Sequence, residues 1–428
     1  MSESGMAAKA CGIDFGTSNS TAGWMGPGSS AGTSLLLPLE GDKLTLPSVI
    51  FFNAEDAQAS FGRAAMANYL AGNEGRMMRS LKSLLGTAMM DEHTEVAGRP
   101  LAFRDLLASF IGELKHRAEV SAGREFTSAV LGRPVFFVDD DAKADQRAQD
   151  TLQEVATQAG LKEIAFQYEP IAAAFDYEAT LSREELVLVV DIGGGTSDFT
   201  LIRLSPERAK SSDRKSDILS NGGVHIGGTD FDRALSLACV MPSFGLGGLL
   251  KTGLQVPSAQ YFNLATWHTI NMAYTRKASA QIDNLYREAS DKPALERLRS
   301  LVSQREGHWL ALQVEEAKIE LSDAPSSQIN MGRIESGQML ALERDQLDRA
   351  ISPLVLMVEQ TVSRLLLDAG VTAQAIDTVF FTGGSSGVPL LRQKILALAP
   401  GARSVEGDLF GSIGTGLALD AVRKFGHA

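Results

Sequence analysis

Residues 186–200 (LVLVVDIGGGTSDFT) carry the side chains best placed for chemistry in this chain. A run of β-formers ends at Asp191. Three glycines follow, then Thr196, Ser197 and Asp198, and a second apolar run over 199–204. Two strands joined by a glycine-rich turn predict a hairpin. Its tip has little side-chain bulk, so backbone N–H groups can close on an anion. Asp191, at the strand's end, is a natural place to hold Mg2+ through water. The same spelling describes an ordinary tight turn, and one copy leaves both readings open.

A second copy stands near the start. Residues 11–21 (CGIDFGTSNST) read as a strand ending at Asp14, then Gly16, the hydroxyl pair Thr17 and Ser18, and polar Asn19. Two strand-end aspartates, each followed by glycine and Thr-Ser, predict a duplicated α/β lobe gripping one phosphate tail from both sides. Neither G-x-x-x-x-G-K-[ST] nor a G-x-G-x-x-G between strand and helix occurs, so other phosphate folds fit less well.

The elements that must position these loops follow from periodicity. Helical spacing marks 61–70, 75–85 (GRMMRSLKSLL), 103–120 and 142–159, the last with acids at 139–141 as caps and Gly160 as its stop. Lys82, inside the second of these, reads as a solvated helix charge. Short strands are expected at 34–37 and 44–52, a buried strand pair at 127–138 and a strand at 164–168. Glu169-Pro170 then starts a helix. Glu169 stands at a strand-to-helix switch, where site residues of open α/β sheets sit, or it serves only the helix dipole. Beyond the hairpin, 206–217 reads as a solvated charged loop, 227–228 as a glycine turn before a helix, and 255–307 as mixed-charge helix. Residues 309–322 form a helix with Glu315 and Lys318 on one face, an exposed ion pair in the plain reading. A long amphipathic helix covers 346–367. A buried strand at 378–381 runs into Gly383, Gly384 and Ser385, a turn that could pass close beneath a nucleoside.

With 428 residues, 44% of them hydrophobic, the chain has ample core for two or three domains. A net charge of −12 argues against nucleic-acid or anionic-membrane binding as its main business. Cys11 and Cys239 make no disulfide framework. The N-terminus lacks the apolar core of a signal peptide, and no run approaches the length of a membrane span, so a cytoplasmic location is expected.

Six segments, in order, carry a resemblance: GIDFGTSNS, QYEPIAAAFDYEA, VVDIGGGTSDFTLI, HIGGTDFD, EEAKIELS and FFTGGSSGVP. Together they resemble the ATPase domain of DnaK-type heat-shock chaperones, in the actin, sugar-kinase and heat-shock ATPase superfamily. The likeness is closest to bacterial YegD-like proteins, which have this module, an enlarged second lobe and no substrate-binding domain. The fold so implied is α/β, two duplicated actin-like (ribonuclease H-like) lobes with a nucleotide cleft between them. Lobe I would hold 1–183 with 405–428 packing back on it. Lobe II would hold 184–404, with an enlarged tip at about 227–345.

The resemblance also implies roles. ATP or ADP with Mg2+ would be the cofactor, and ATP and water would give ADP and phosphate. Asp14, Asp191 and Glu169 would hold the hydrated metal. Gly16, Thr17, Ser18, Asn19 and the Gly193, Gly194, Gly195 and Thr196 amides would wrap the phosphates. Lys82, in RSLKSLLG, would touch the γ-phosphate and the attacking water, with Asp198 and Thr196 near that water. Gly227, Gly228, Glu315, Lys318, Ser322, Gly383, Gly384 and Ser385 would serve the adenosine side. Such chemistry rests on positioning and charge neutralisation more than on a strong base.

Departures matter as well. Ile319 and Gly387 stand where the chaperones stack adenine between two arginines, which implies weaker or altered base recognition. The resemblance implies a chaperone-like ATPase whose lobe opening is read by a protein partner (a co-chaperone, exchange factor or client adaptor) without a peptide-binding domain of its own. The alternatives are a nucleotide-sensing or filament-forming protein with negligible turnover, and a small-molecule kinase, for which no acceptor base is identifiable.

Overall fold

The computed structural model describes residues 10–26, 35–55, 58–96, 98–138, 141–211, 213–408 and 411–426. Residues 26–32 (GPGSSAG), whose glycines predict a flexible turn, lie from residue 27 on outside them, as do the caps expected at Asp139 and Asp140.

Two five-stranded sheets share one plan. The first holds β1 (Ala10–Asp14), β2 (Asn19–Gly23), β3 (Thr45–Pro47), β4 (Ser128–Arg133) and β5 (Glu163–Tyr168), in the order β5-β4-β1-β2-β3. The second holds β6 (Glu185–Ile192), β7 (Ser197–Leu204), β8 (Ile218–Val224), β9 (Thr378–Thr382) and β10 (Arg403–Glu406), in the order β8-β7-β6-β9-β10. In each, the founding strand makes an antiparallel hairpin on one side and takes parallel strands on the other. This repeat is the duplicated actin-like fold. Continuous apolar runs, such as the wholly buried Val187–Val190 of β6, suit strands covered on both faces.

Helices join the parallel strands. Between β4 and β5 runs Ala142–Gln158, whose first turn is capped by the Asp141 carboxylate accepting from the Lys143 and Ala144 amides at 3.1 and 3.0 Å. After β5 the helix Glu169–Ala173 starts at once, with Pro170 in its first turn. The helix Ser412–Phe425 lies on β1 almost backbone to backbone. A Cβ at Gly416 would fall 1.9 Å from the Ala172 carbonyl oxygen, and one at Gly12 would fall 2.3 Å from the Ala418 nitrogen.

The chain forms two compact units. One comprises Met1–Gly223, Thr361–Ser386 and Leu396–Ala428, and holds both sheets; the other comprises Val224–Gln360 and Gly387–Ile395. The second unit is mostly helical, with helices Gly228–Leu235, Ala259–Leu264, Arg276–Glu288, Lys292–Ser303 and Gly307–Asp323 beside a two-stranded ribbon, Ser326–Asn330 with Met339–Glu343. Tyr261, Ile282, Leu295, Leu298 and Leu310 are among its buried residues.

Several expectations are corrected. Residues 75–85 are not helical: Gly75–Arg79 is a strand pairing with Val49–Asn53, and Leu81–Leu84 is a single 3-10 turn. Ser80 between them has φ 62°, a left-handed conformation that no continuous helix admits. The expected strand over 44–52 is two strands, Thr45–Pro47 and Val49–Asn53, in different sheets. Residues 127–138 hold one strand, not two. Beyond it the Arg133 guanidinium donates to the Pro134 and Val135 carbonyls at 3.0 and 3.1 Å, doing the work of a ladder. The loop 206–217 is not merely solvated. Arg214 and Glu178 are each 1% exposed and joined by two hydrogen bonds of 2.7 and 2.8 Å, and Asp217 bridges Arg214 to Arg208. Finally, one helix, Arg344–Asp368, is long and apolar enough to cross a membrane by length and composition. Leu347, Ile351, Val355, Val358, Val362 and Leu365 give it a buried stripe at the spacing of a core-facing helix.

The close approach at Gly416 is directly testable. Gly416→Val should lower the unfolding free energy by about 1–3 kcal/mol through overpacking. Gly401→Ala, at a position with open space around a Cβ, should leave it within about 0.5 kcal/mol. Urea unfolding of the two variants checks both values.

Candidate functional site

The ends of β1, β5, β6 and β7 each deliver a carboxylate. Asp14 is the last residue of β1, and Glu169 directly follows β5. Asp191 and Asp198 are cross-strand partners on β6 and β7, which places two like charges opposite each other on one face of the hairpin. Gly132 on β4, the strand between β1 and β5, leaves room for Glu169: a Cβ there would meet Glu169 Cγ at 3.3 Å.

The two glycine turns come together. Gly193 donates to the Thr196 carbonyl at 3.0 Å, which makes Gly194-Gly195 a two-residue hairpin tip. A Cβ at Gly194 would fall 2.0 Å from Ser18 Oγ, and one at Gly195 would fall 3.9 Å from Thr17 Cγ2. The first loop is braced by Ser48, a residue the sequence did not single out. Its hydroxyl donates to the Gly16 carbonyl at 2.7 Å and lies 2.9 Å from Ser20 Oγ, while its amide donates to the Ser18 carbonyl at 2.9 Å. Asn19 opens β2 behind that loop. On the other loop Thr196 Oγ1 donates to Asp198 Oδ2 at 3.0 Å. Gly383, at φ 80°, runs against Asp191: a Cβ would fall 2.4 Å from Asp191 Oδ1. Gly384 and Ser385 follow in the next turn.

Lys82 supplies the cation. Its short turn is anchored by buried Leu81 and Leu85, and its ammonium donates to Glu169 Oε1 at 2.6 Å, with each side chain 11% exposed. The solvated-charge reading of Lys82 is therefore replaced by a near-buried ion pair. Burial works against the Lys82 charge, but Glu169, Asp14 and Asp198 outweigh it and hold the ammonium above its ordinary range. Burial pushes the Asp14 carboxyl up to about 7, with Glu169 adding to the rise and Lys82 opposing it. Asp191 is held well above the carboxylate range, first by burial and then by Asp198, Glu169 and Asp14. Among the described residues, Asp14, Glu169, Asp191 and Asp198 gather around the Lys82 ammonium, and Asp14 and Asp191 ionise readily only where further positive charge joins them. Among the described residues, no three His, Cys, Asp or Glu side chains stand close enough to ligate an ion directly. Hard oxygen donors and a need for positive charge suit a hard divalent cation such as Mg2+.

The remaining expected residues fall in the second unit. There the helices Gly228–Leu235 and Gly307–Asp323 are tied by Lys318, which pairs with Asp232 at 2.8 Å and donates to the Gly228 carbonyl at 3.3 Å. Lys318 is buried and pairs with Asp232, so the plain reading of an exposed charge at this position is corrected. The Gly227 amide donates to Asp230 Oδ2 at 3.0 Å, and Ser322 Oγ donates to the Lys318 carbonyl at 3.2 Å. Glu315 lies on the same helix, and Ile319 is 54% exposed.

The raised acids have a pH signature. A carboxyl whose folded pKa exceeds its unfolded value binds its proton more tightly in the folded state, so stability falls as pH rises between the two values. In chelator, the melting temperature should therefore drop from about pH 4 to about pH 7 by more in the wild type than in Asp14→Asn, and Asp14→Asn should melt higher at pH 7.5. Melting curves across that range decide it.

A family model described as Hsp70 protein matches residues 10–242 and 295–414. The chaperone protein DnaK of Thermotoga petrophila is 29% identical over 393 residues, covering 90% of this chain and 54% of that protein. The chaperone protein HscA homolog of Pseudomonas aeruginosa is 27% identical over 435 residues, covering 96% of this chain and 58% of that protein. The chain thus spans about half the length of the curated relatives it matches. With both arms of the family model on the two sheets and their glycine turns, the chain belongs to the Hsp70 family.

Proposed function

We propose that the protein binds ATP and ADP with Mg2+, hydrolyses ATP slowly, and offers its nucleotide state to a protein partner as a chaperone-like ATPase. The observation carrying this reading is the convergence of Asp14, Lys82, Glu169, Asp191 and Asp198 beneath two facing glycine turns. In it, the loop amides of Gly193–Thr196 and the hydroxyls of Thr17 and Ser18 take the β- and γ-phosphates. Asp14, Asp191 and Glu169 would hold a hydrated Mg2+, which would supply charge neutralisation to the phosphates. Lys82 adds a positive charge where the γ-phosphate and the attacking water meet. Asp198, held by the Thr196 hydroxyl, orients that water. Gly227, Gly228, Glu315, Lys318, Ser322 and Gly383–Ser385 serve the nucleoside. Residues 1–183 with 405–428 form one lobe of this reading and 184–404 the other. The chaperone names of the DnaK and HscA relatives support a chaperone role; a co-chaperone, exchange factor or client adaptor as partner and a cytoplasmic location complete the reading.

A nucleotide sensor with negligible turnover is the second reading, favoured by exposed Ile319 and by Gly387, where the chaperones carry adenine-stacking arginines. Calorimetric titration of Mg-ATP and Mg-ADP into wild type and Asp191→Ala, with phosphate release followed on the same samples, separates them. Binding with slow release, both lost in Asp191→Ala, is expected. Binding without release would move the protein to the sensor class, and no binding to the wild type would end both readings. In the same titrations Ile319→Arg with Gly387→Arg should tighten Mg-ADP binding about tenfold, the worth of one to two stacked guanidinium contacts. Unchanged affinity would mean that these positions do not face the base.

A further inference from the structure

The acids gathered at the site raise the question of what balances them before any metal arrives. Among the described residues, the charged groups acting on Asp14 and Asp191 include the neighbouring acids and the cation Lys82. That ammonium is hydrogen-bonded at 2.6 Å to Glu169 Oε1, the carboxylate that in the reading above orients a metal-bound water. Its backbone is fixed by the turn Leu81–Leu84, between left-handed Ser80 and buried Leu85, while its four-carbon stem can swing.

We propose that Lys82 is the resident counter-cation of this site: its ion pair with Glu169 stands in for a divalent cation while none is bound, and the two cations exclude each other at Glu169. The inference rests on the metal-nucleotide reading of the site. Removing one partner of a near-buried ion pair leaves the other charge uncompensated, so an apolar residue at 82 makes the carboxylates dependent on an external cation. Lys82 then has two posts in succession. It neutralises Glu169 in the empty site, and it is released toward the γ-phosphate when a metal takes that work over. Metal entry and delivery of the lysine become one exchange, so nucleotide without metal finds the lysine still engaged.

The test compares wild type, Lys82→Met and Lys82→Arg without nucleotide. Free Mn2+ is read by electron paramagnetic resonance during titration, and melting temperature is measured in EDTA and in Mg2+. Lys82→Met should bind Mn2+ at least about tenfold more tightly than wild type, melt lower in EDTA and recover in Mg2+, whereas Lys82→Arg should behave as wild type. Equal Mn2+ affinity in wild type and Lys82→Met overturns the proposal. If Lys82→Met does not fold in EDTA, folding on addition of Mn2+ supports it, and failure to fold with either metal overturns it. Mg-ADP calorimetry on the wild type stands apart: no binding there would remove the nucleotide reading, while the Mn2+ comparison would still decide the role of Lys82.

Discussion

Like charges gathered at the ends of strands are what the rest of this molecule has to support. Hairpin pairing sets Asp191 opposite Asp198, parallel pairing brings Asp14 and Glu169 to the same end of the first sheet, and burial denies Asp14 and Asp191 the solvation they would have in water. A core of apolar strands can hold such a cluster because its registry is fixed by side chains far from the charges. The cost is concentrated where binding needs it, since a site that is unfavourable alone favours whatever brings positive charge.

What the sequence made legible was local. Strand-end aspartates, glycine runs and the Glu169-Pro170 step are each written within a few residues, and the elements follow from the same short windows. Lys82 escaped because its position depends on a strand pairing with residues 49–53 and on a left-handed serine, neither of which shows in a helical-looking apolar spacing. Ser48 escaped for a similar reason: its partners are the carbonyls of Gly16 and Ser18 and the hydroxyl of Ser20, about thirty residues earlier, and nothing in LPSVI announces them. The buried Arg214–Glu178 pair and the Lys318–Asp232 tie are likewise long-range, and charge pattern alone assigned both to the surface. The resemblance supplied Lys82 where periodicity could not.

The second unit shows how a family fold accepts added chain. Residues 243–294 lie outside the family match, yet they have their own logic. Thr275 and Asp291 cap successive helices by accepting from the Ala278 and Ala294 amides at 3.2 and 3.1 Å, and Tyr261, Ile270 and Ile282 are buried. Local caps fix these helices, and the Gly307 amide, at the start of the helix that carries Lys318, donates to the Tyr274 hydroxyl at 2.8 Å, so the segment is tied to the family-matched part of the unit.

The contact between β1 and the helix Ser412–Phe425 also sets an order of events during synthesis. All five strands of the first sheet have been synthesised once residue 168 is made, but the face around Gly12 lacks its covering helix until residues 412–425 emerge. Closing that loop brings together backbone separated by some four hundred residues, the kind of non-local contact that forms late and slows folding. Through most of translation the first sheet is a complete set of strands with one bare side, a surface that invites the wrong neighbours. Until residues 412–425 are made, a chain of a chaperone family is thus the sort of client that such families attend.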